Sequence, residues 1–244
     1  MAGSEITVDG DVVTKLHRPG TDPHALAARL RIAARLDCLL SPLSTEPEEV
    51  GTRWRTRWPR VQTVRPDPQD APWAESARLL AQLHRETIGE PLECVGNQRL
   101  QRALDALLDT PAAAVIRRAA VTLPDDMWCR QPSTPVHGDW HLGQIGRRDG
   151  RWFLIDVDDL CVGNPAWDLA RPAGFWAAGL LPDADWSTFL DAYRDAGGPA
   201  VPAFPVDPWP VLDPFARAAA IVAAAHGVDD EAGALLLDAC ARMR

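Results

Sequence analysis

The stretch PVHGDWHLGQIG, residues 135–146, constrains the fold of this chain more than any other segment. It places two histidines, one aspartate and one glutamine between hydrophobic runs. The apolar run RWFLIDV follows shortly afterwards, and the Asp149-Gly150 pair between them is typical of a tight hairpin turn. The pattern predicts an antiparallel strand pair over Gln144–Arg147 and Arg151–Val157.

Three oxygen-bearing side chains meet at one end of this predicted hairpin. Asp139 precedes the first strand, Gln144 opens it, and Asp156 ends the returning strand. Mg²⁺ prefers such ligands and is usually held by one or two carboxylates together with phosphate oxygens. An Asp, an amide five positions later and a second Asp across a hairpin match the arrangement that kinases use for phosphoryl transfer.

The first part of the chain reads as rich in strands. Ile6–Val8 and Val12–Leu16 flank an Asp-Gly pair, which predicts a β-hairpin. Apolar residues at helical spacing predict a helix from Ala25 to Leu36. Two further strands are predicted around Trp54 and Trp58.

A segment rich in proline and aspartate, RPDPQDAPW at residues 65–73, separates this part from a mostly helical remainder. We therefore predict an α+β fold with a small lobe over residues 1–64 and a larger helical lobe over residues 65–244. Helices are predicted over 73–87, 97–120 with a break at DTP, 167–180, 183–196, 210–225 and 230–243.

Composition excludes some classes of function. The formal net charge of −9 argues against a general nucleic-acid binder, which needs a basic face. The acidic N-terminus lacks the apolar core of a signal peptide, and no apolar run is long enough to span a membrane. Five cysteines without a CxxC motif indicate free thiols in a reducing compartment. We expect a cytoplasmic protein without a membrane or nucleic-acid partner.

The segments VHGDWHLGQIG and FLIDVDDLCVGNPAWDLARPA together resemble the aminoglycoside phosphotransferase-like enzymes. The pattern of that family is H-G-D-x-x-x-x-N, then an I-D segment, then G-x-P-x-x-D-L-A. Each element has a counterpart over Val136–Ala173, except that Gln144 stands where Asn is usual. The form HLGQ is similar to maltokinase-type members. The resemblance implies a protein-kinase-like fold with a reduced β-rich N-terminal lobe and a larger helical C-terminal lobe.

The resemblance also implies an activity. It indicates a small-molecule kinase that transfers the γ-phosphate of ATP, with GTP as an alternative donor, in the presence of Mg²⁺. The acceptor would be a hydroxyl of a sugar, an aminoglycoside, or another antibiotic or metabolite. Carried over to this sequence, Asp139 is the catalytic base, and Gln144 and Asp156 are the metal ligands.

Three further residues take supporting roles by the same resemblance. Lys15, on the second predicted strand, corresponds to the lysine that binds the nucleotide phosphates. His137 braces the catalytic loop, and Asp168 either caps a helix or anchors the structure near that loop. Two features depart from the family pattern: the helix after Lys15 has no acidic residue to pair with it, and no G-x-G-x-x-G loop precedes it. Lys15 thus reads either as a phosphate ligand or as a solvated strand lysine.

Other interpretations of the same residues stay open at this stage. The chain is alternatively a degenerate kinase-fold protein that binds a ligand or partner without turnover, or a metal-dependent hydrolase. His137, Asp139 and His141 also fit H-x-D-x-H, a transition-metal pattern, although His141 reads better as a polar contact under the loop. Asp158 either contacts metal or substrate or braces the turn. The acidic run 229–231 either attracts a cationic substrate or begins a helix.

Overall fold

A computed structural model describes residues 3–64, 71–89, 92, 96–130, 132–227 and 231–244. Its strands are β1 (Glu5–Asp9), β2 (Val12–Leu16), β3 (Glu48–Val50), β4 (Arg53–Pro59), β5 (Gln62–Thr63), β6 (Thr134–Val136), β7 (Ile145–Arg148), β8 (Arg151–Leu154) and β9 (Cys161–Gly163). Its α-helices are α1 (Pro23–Arg35), α2 (Trp73–Arg85), α3 (Gly96–Asp105), α4 (Pro111–Ala120), α5 (Ala166–Ala177), α6 (Asp183–Asp195), α7 (Trp209–His226) and α8 (Glu231–Arg242).

The N-terminal strands form one antiparallel sheet in the order β1-β2-β4-β3. The predicted hairpin is confirmed, with Gly10 in the left-handed conformation at its turn (φ 55°). The prediction of separate strands around Trp54 and Trp58 is wrong, because both tryptophans lie on β4. The chain reverses earlier, at Gly51 (φ 63°), so that β3 is made by the residues before the tryptophans.

Helix α1 starts where local signals place it. The side chain of Asp22 accepts a hydrogen bond from the backbone N–H of His24 at 2.9 Å, and Pro23 occupies the first turn. The helix then buries Leu26, Leu30 and other apolar side chains. No acidic residue lies in its first turn, so the helix does not approach Lys15 with a carboxylate from there.

The β7–β8 hairpin is shorter than predicted. Gln144 and Asp156 both lie outside its strands, because each end of the hairpin takes a different local structure. Gln144 ends a short 3-10 turn that is capped by the side chain of His141. Asp156 lies two residues beyond β8 in the left-handed conformation, with φ 60° and ψ 74°. The hairpin turn itself is confirmed at Asp149-Gly150, where both residues have positive φ.

The N-terminal segment attaches to this hairpin at two places. Strand β5 pairs with β7, and Leu39, just after α1, bridges to Leu154 at the end of β8. The hairpin therefore lies between the N-terminal sheet and the helices. Residues 65–70 of the predicted boundary lie outside the described residues, so the division at residue 64 stays a prediction.

The helices form the larger part of the core. Helix α2 packs against α6, and α5 packs along α7 with a close backbone approach at Gly174. A Cβ at that position would lie 2.5 Å from the backbone oxygen of Ala216, which explains a glycine there. Within the described ranges, no helix has both the length and the apolar character needed to cross a membrane.

Candidate active site

The turn after β6 is the centre of the site. Gly138 has φ 85°, and a Cβ there would lie 2.2 Å from the backbone oxygen of Asp159. A glycine is therefore required both by the conformation and by the close approach of the turn that follows β8. The chain then places Asp139 directly after this glycine, with about a third of its side chain exposed.

A buried carboxylate holds this turn in place. One oxygen of Asp168 accepts a hydrogen bond from the backbone N–H of His137 at 2.6 Å, and the other accepts from Gly138 at 2.9 Å. Asp168 lies in the first turn of α5, whose N-cap position is held by Pro165. The side chain therefore binds the backbone of the loop rather than capping its own helix.

Asp168 is itself held by a chain of buried groups. His84 lies 2.9 Å from its carboxylate through Nε2, and the hydroxyl of Tyr193 lies 2.7 Å from Nδ1 of the same histidine. The backbone N–H of Ala200 donates to that hydroxyl at 3.1 Å. Burial alone would raise the pKa of Asp168, but the hydrogen bond and charge of His84 and the backbone N–H of His137 lower it.

His137 ties the loop to the backbone directly after β8. Its Nε2 donates to the backbone oxygen of Ile155 at 2.7 Å, and its ring is fully buried. Trp167 adds a second tie, because its indole N–H donates to the backbone oxygen of Gly138 at 2.8 Å. These contacts fix the backbone directly before Asp139.

Gln144 and Asp156 are brought together through their neighbours. The backbone N–H of Ile155 donates to the backbone oxygen of Gln144 at 2.9 Å, which places Asp156 beside it. Among the described residues, nothing forms a hydrogen bond with the side-chain amide of Gln144, and it lines the same cavity as Asp139 and Asp156. This amide is thus available to a ligand in the cavity.

His141 lies under the loop as a polar contact. Its Nδ1 accepts a hydrogen bond from the backbone N–H of Gly143 at 3.0 Å. Burial, reinforced by the charge of Arg171, lowers the pKa of His141 and favours the neutral ring. In the part of the chain that the structure describes, no three His, Cys, Asp or Glu side chains are grouped as metal ligands. The transition-metal interpretation of His137, Asp139 and His141 is therefore not supported.

Lys15 reaches the site from β2. Its ammonium group lies 2.7 Å from Oδ1 of Asp156 and 2.9 Å from Oδ2 of Asp158. Asp158 also lies 3.3 Å from Nδ1 of His17. The prediction that the helix after Lys15 offers it no acidic partner is confirmed, and the carboxylates come instead from the turn after β8.

Charge pairing sets the ionisation of this group. Burial alone would lower the pKa of Lys15, but the carboxylates of Asp158 and Asp156 outweigh it and raise that pKa. Burial would likewise raise the pKa of Asp158, yet the hydrogen bond from His17 and the charge of Lys15 hold it well below its usual range. Lys15 and Asp158 are accordingly both charged at neutral pH.

Asp139 has a cationic neighbour that the sequence did not suggest. The guanidinium of Arg99, on α3, lies 2.9 Å from Oδ2 of Asp139 and also pairs with Asp159. The residue stands far from the motif in sequence and belongs to no pattern that we recognised. One sequence signal was available: Arg99 lies one helical turn before Ala103, a buried residue of α3, and therefore on the same face of the helix.

Two cavities meet at Asp139. The first has a volume of about 760 Å³ and lies between the N-terminal sheet, the start of α1 and the oxygen-bearing side chains. The second, of about 400 Å³, lies among α3, α5, α7 and α8. Asp139 lines both, so it stands where a group bound in one would face a group bound in the other.

The donor set fits a magnesium ion delivered with a phosphate. The side chains of Asp156 and Gln144 offer a carboxylate and an amide oxygen to the larger cavity. Such a set leaves most coordination positions to phosphate oxygens and water, as is usual for Mg²⁺. It does not form a closed cage for an ion that is bound by protein alone.

The two lobes, the anchored loop and the oxygen ligands beside it define a protein-kinase-like phosphotransferase of small molecules. The profile of the phosphotransferase enzyme family (APH) matches residues 6–215, and the chain belongs to that family. This match confirms the resemblance seen in the two sequence segments. The specific likeness of HLGQ to maltokinases stays a prediction.

Solved structures share the fold over nearly the whole chain. An amicoumacin kinase, in complex with AMP-PNP, Ca²⁺ and Ami, matches with a TM-score of 0.65 and 11% identity, covering 98% of this chain and 87% of that one. The choline kinase of Streptococcus pneumoniae matches with a TM-score of 0.62 and 11% identity, covering 97% of this chain and 88% of that one. A spectinomycin phosphotransferase, in complex with ADP and spectinomycin, matches with a TM-score of 0.60 and 14% identity, covering 98% of this chain and 84% of that one.

These identities are low, so the likeness concerns the fold. It confirms the predicted α+β, protein-kinase-like architecture. No curated protein sequence matches the chain. The acceptor and the nucleotide must therefore be argued from the site itself.

Proposed function

We propose that this enzyme transfers the γ-phosphate of ATP to a hydroxyl group of a small molecule, with Mg²⁺ as the metal. One observation carries the proposal: Asp139 lies on the wall shared by two cavities, and the larger one also holds Lys15, Gln144 and Asp156. A donor in the larger cavity and an acceptor in the smaller one would meet at this carboxylate. Phosphoryl transfer requires such in-line positioning and little covalent chemistry from the protein.

Asp139 acts as the base in this proposal. Its carboxylate accepts the proton of the acceptor hydroxyl as the new oxygen–phosphorus bond forms. The loop that carries it is fixed by His137 and Asp168, so the carboxylate oxygen is held where the hydroxyl arrives. Arg99 lies 2.9 Å from that carboxylate and orients it.

The phosphates are held by the residues of the larger cavity. Lys15 binds phosphate oxygens as a fixed positive charge, and Asp158 keeps its ammonium in place. Gln144 and Asp156 hold the metal. When bound, Mg²⁺ supplies charge neutralisation on the triphosphate. Asp156 would then bind the metal in place of its ion pair with Lys15. Asp158 would keep its own ion pair with the lysine.

The proposal assigns the nucleotide to the junction of the lobes. Residues 1–64 form the lobe on the nucleotide side, and residues 65–244 carry the catalytic loop and the acceptor cavity. GTP is an alternative donor, because recognition of the base would depend on backbone groups after β4. The family and its neighbours include kinases of antibiotics and of choline, which makes a hydroxylated metabolite or antibiotic the class of acceptor to test.

A nucleotide panel tests the proposal directly. Thermal unfolding is followed with ATP, GTP and ADP, each with MgCl₂ or EDTA. We expect the melting temperature to rise only when nucleotide and Mg²⁺ are both present, since ligands that bind the folded state stabilise it. No rise with any combination would contradict nucleotide binding and with it the proposed function.

Variants of the base separate turnover from binding. Asp139→Asn should retain the nucleotide-dependent shift and reduce phosphate transfer by roughly 10²- to 10⁴-fold, the usual contribution of a general base. Asp191→Asn, an exposed position on α6, serves as the matched control and should change neither. A chain that binds a partner without turnover would show no transfer even in its unchanged form. A hydrolase would release phosphate from a monoester without any nucleotide.

A further inference from the structure

We propose that the acceptor carries an anionic group, a carboxylate or a phosphate, that binds Arg171 in the smaller cavity. This inference rests on the proposed function, because it names the class of molecule that brings a hydroxyl to Asp139. It differs from the cationic acceptors suggested by an acidic chain and by several relatives. The charges in the cavity that are already paired leave one arginine for such a group.

Among the described residues, few charged side chains line the smaller cavity. Of the described residues that line it, Asp139 is the single acid, and the bases are two arginines and two histidines: Arg99, Arg171, His141 and His226. Of the acidic run considered as an attractor of a cationic substrate, Glu231 is the member that the structure describes, and it does not line the cavity. This residue is exposed at the start of α8, while residues 229 and 230 lie outside the described part of the chain.

The two arginines are not equivalent. Arg99 forms ion pairs with Asp139 and Asp159, so its positive charge is already compensated within the protein. Arg171, one turn into α5, forms no ion pair or hydrogen bond with any described residue. Its guanidinium lies 5.3 Å from the centre of the Phe175 ring, a contact that leaves its hydrogen-bond donors open.

The surroundings of Arg171 favour an incoming anion. Arg171 is exposed overall, and the partial desolvation of its guanidinium together with the like charge of Arg99 lowers its pKa, while Asp139 partly offsets them. A second cation would add to this repulsion, whereas an anion would relieve it. Arg also presents a planar set of donors that fits a carboxylate or phosphate in a two-point contact.

The other residues of the cavity wall indicate the size and polarity of the rest of the acceptor. Trp167, Phe175, Val222 and Leu236 contribute apolar surface, and the volume of about 400 Å³ suits a single small molecule. We therefore expect a compact, partly apolar acceptor with a hydroxyl at one end and an acidic group elsewhere. The hydroxyl would face Asp139 while the acidic group meets Arg171.

A matched set of ligands tests this charge preference. The probes share one hydroxymethyl-phenyl body and differ in the opposite group: 4-(hydroxymethyl)benzoate, the corresponding phenylphosphonate, 4-(hydroxymethyl)benzamide and 4-(hydroxymethyl)benzylamine. Dissociation constants are measured by ligand-observed NMR in the full chain with ADP and Mg²⁺, and again without them. We expect an anionic probe to bind at least about tenfold more tightly than the amide, and the amine to bind most weakly.

Variants assign the preference to one residue. Arg171→Ala and the milder Arg171→Gln should abolish the advantage of the anion over the amide. Arg118→Ala, an exposed arginine on α4 outside the cavity, should leave it intact. The comparison of benzoate with phosphonate identifies which of the two anions the site prefers.

The outcomes are independent of turnover. The inference is overturned if neither anion binds more tightly than the amide, or if the advantage persists in both Arg171 variants. Failure of the nucleotide panel with a retained anion preference would instead overturn the proposed function alone. A nucleotide-dependent shift without an anion preference would overturn this inference and leave the proposed function standing.

Discussion

The ammonium of Lys15 lies 2.9 Å from the carboxylate of Asp158, although the two residues lie far apart in the sequence. In the kinase arrangement the phosphate-binding lysine is paired with a glutamate of the neighbouring helix. Here α1 supplies no such acid in its first turn, and the turn after β8 provides the carboxylate instead. The lysine and Asp156, the proposed metal ligand, are thereby coupled through one short segment.

Removal of the Asp158 carboxylate should loosen Lys15. We expect Asp158→Asn to raise the KM for nucleotide roughly tenfold, because the ammonium would lose one of its two charged partners and shift toward Asp156. Steady-state kinetics at saturating acceptor measure this effect. Asp9→Asn, on the exposed strand β1, is the matched control and should leave KM unchanged. An unchanged KM in Asp158→Asn would show that Asp156 alone positions the lysine.

The same ion pair makes stability depend on pH at both extremes. The pKa of Asp158 is lowered by folding, so its contribution is present above the ordinary carboxyl value of about 3.9 and is lost as pH falls through the lower, folded-state value. The pKa of Lys15 is raised, so its contribution is present below about 10.4 and is lost as pH rises through the higher value.

Chemical unfolding as a function of pH measures this dependence. The difference in unfolding free energy between the unchanged chain and Asp158→Asn should be constant near neutral pH and should shrink in acid below about pH 4. A difference that grows in acid would have the wrong sign for a carboxylate stabilised by Lys15 and His17.

Gln144 should behave as a metal ligand through its carbonyl oxygen. Gln144→Asn keeps that oxygen on a shorter side chain, so we expect activity within a few-fold of the unchanged enzyme. Gln144→Leu removes the oxygen and should raise the Mg²⁺ concentration for half-maximal activity by about tenfold or more. Binding of Mn²⁺ with a non-hydrolysable nucleotide, followed by electron paramagnetic resonance, gives a readout besides activity.

A control on α3 distinguishes a ligand from a general effect. Gln101→Leu changes an exposed glutamine that bonds Asp105 and should leave Mn²⁺ binding unaffected. Equal metal binding by Gln144→Leu and the unchanged enzyme would remove Gln144 from the metal site.

Asp168 should contribute strongly to stability. Asp168→Asn would turn an amide NH₂ toward backbone donors of His137 and Gly138 and would weaken the bond from His84. Breaking a buried charged network in this way costs about 3–5 kcal/mol. Denaturant unfolding of this variant, compared with Asp191→Asn on the exposed face of α6, measures the loss. A loss no greater than that of the control would mean that the loop is held mainly by other contacts.

Local sequence signals predicted much of the framework. Asp-Gly pairs fix φ values that only tight turns use, so both β-hairpins were predictable at Gly10 and Gly150. Helix α1 was predictable because its cap and its apolar spacing act over only a few residues. The strand ends at Gln144 and Asp156 were not, because a side-chain cap and a left-handed residue override the strand tendency there.

The sequence alone pointed to three oxygen-bearing groups of the site, because Asp139, Gln144 and Asp156 lie within a single hairpin and its flanks. The tertiary structure decided how those groups are charged and oriented. Lys15, Arg99 and the buried His84 reach them only when segments far apart in the chain pack together. Coulombic and hydrogen-bond contacts act over a few ångströms in space and leave no periodic trace along the sequence. For the same reason, only the folded chain showed that Arg171 lines one cavity with Asp139 and has no acidic partner among the described residues.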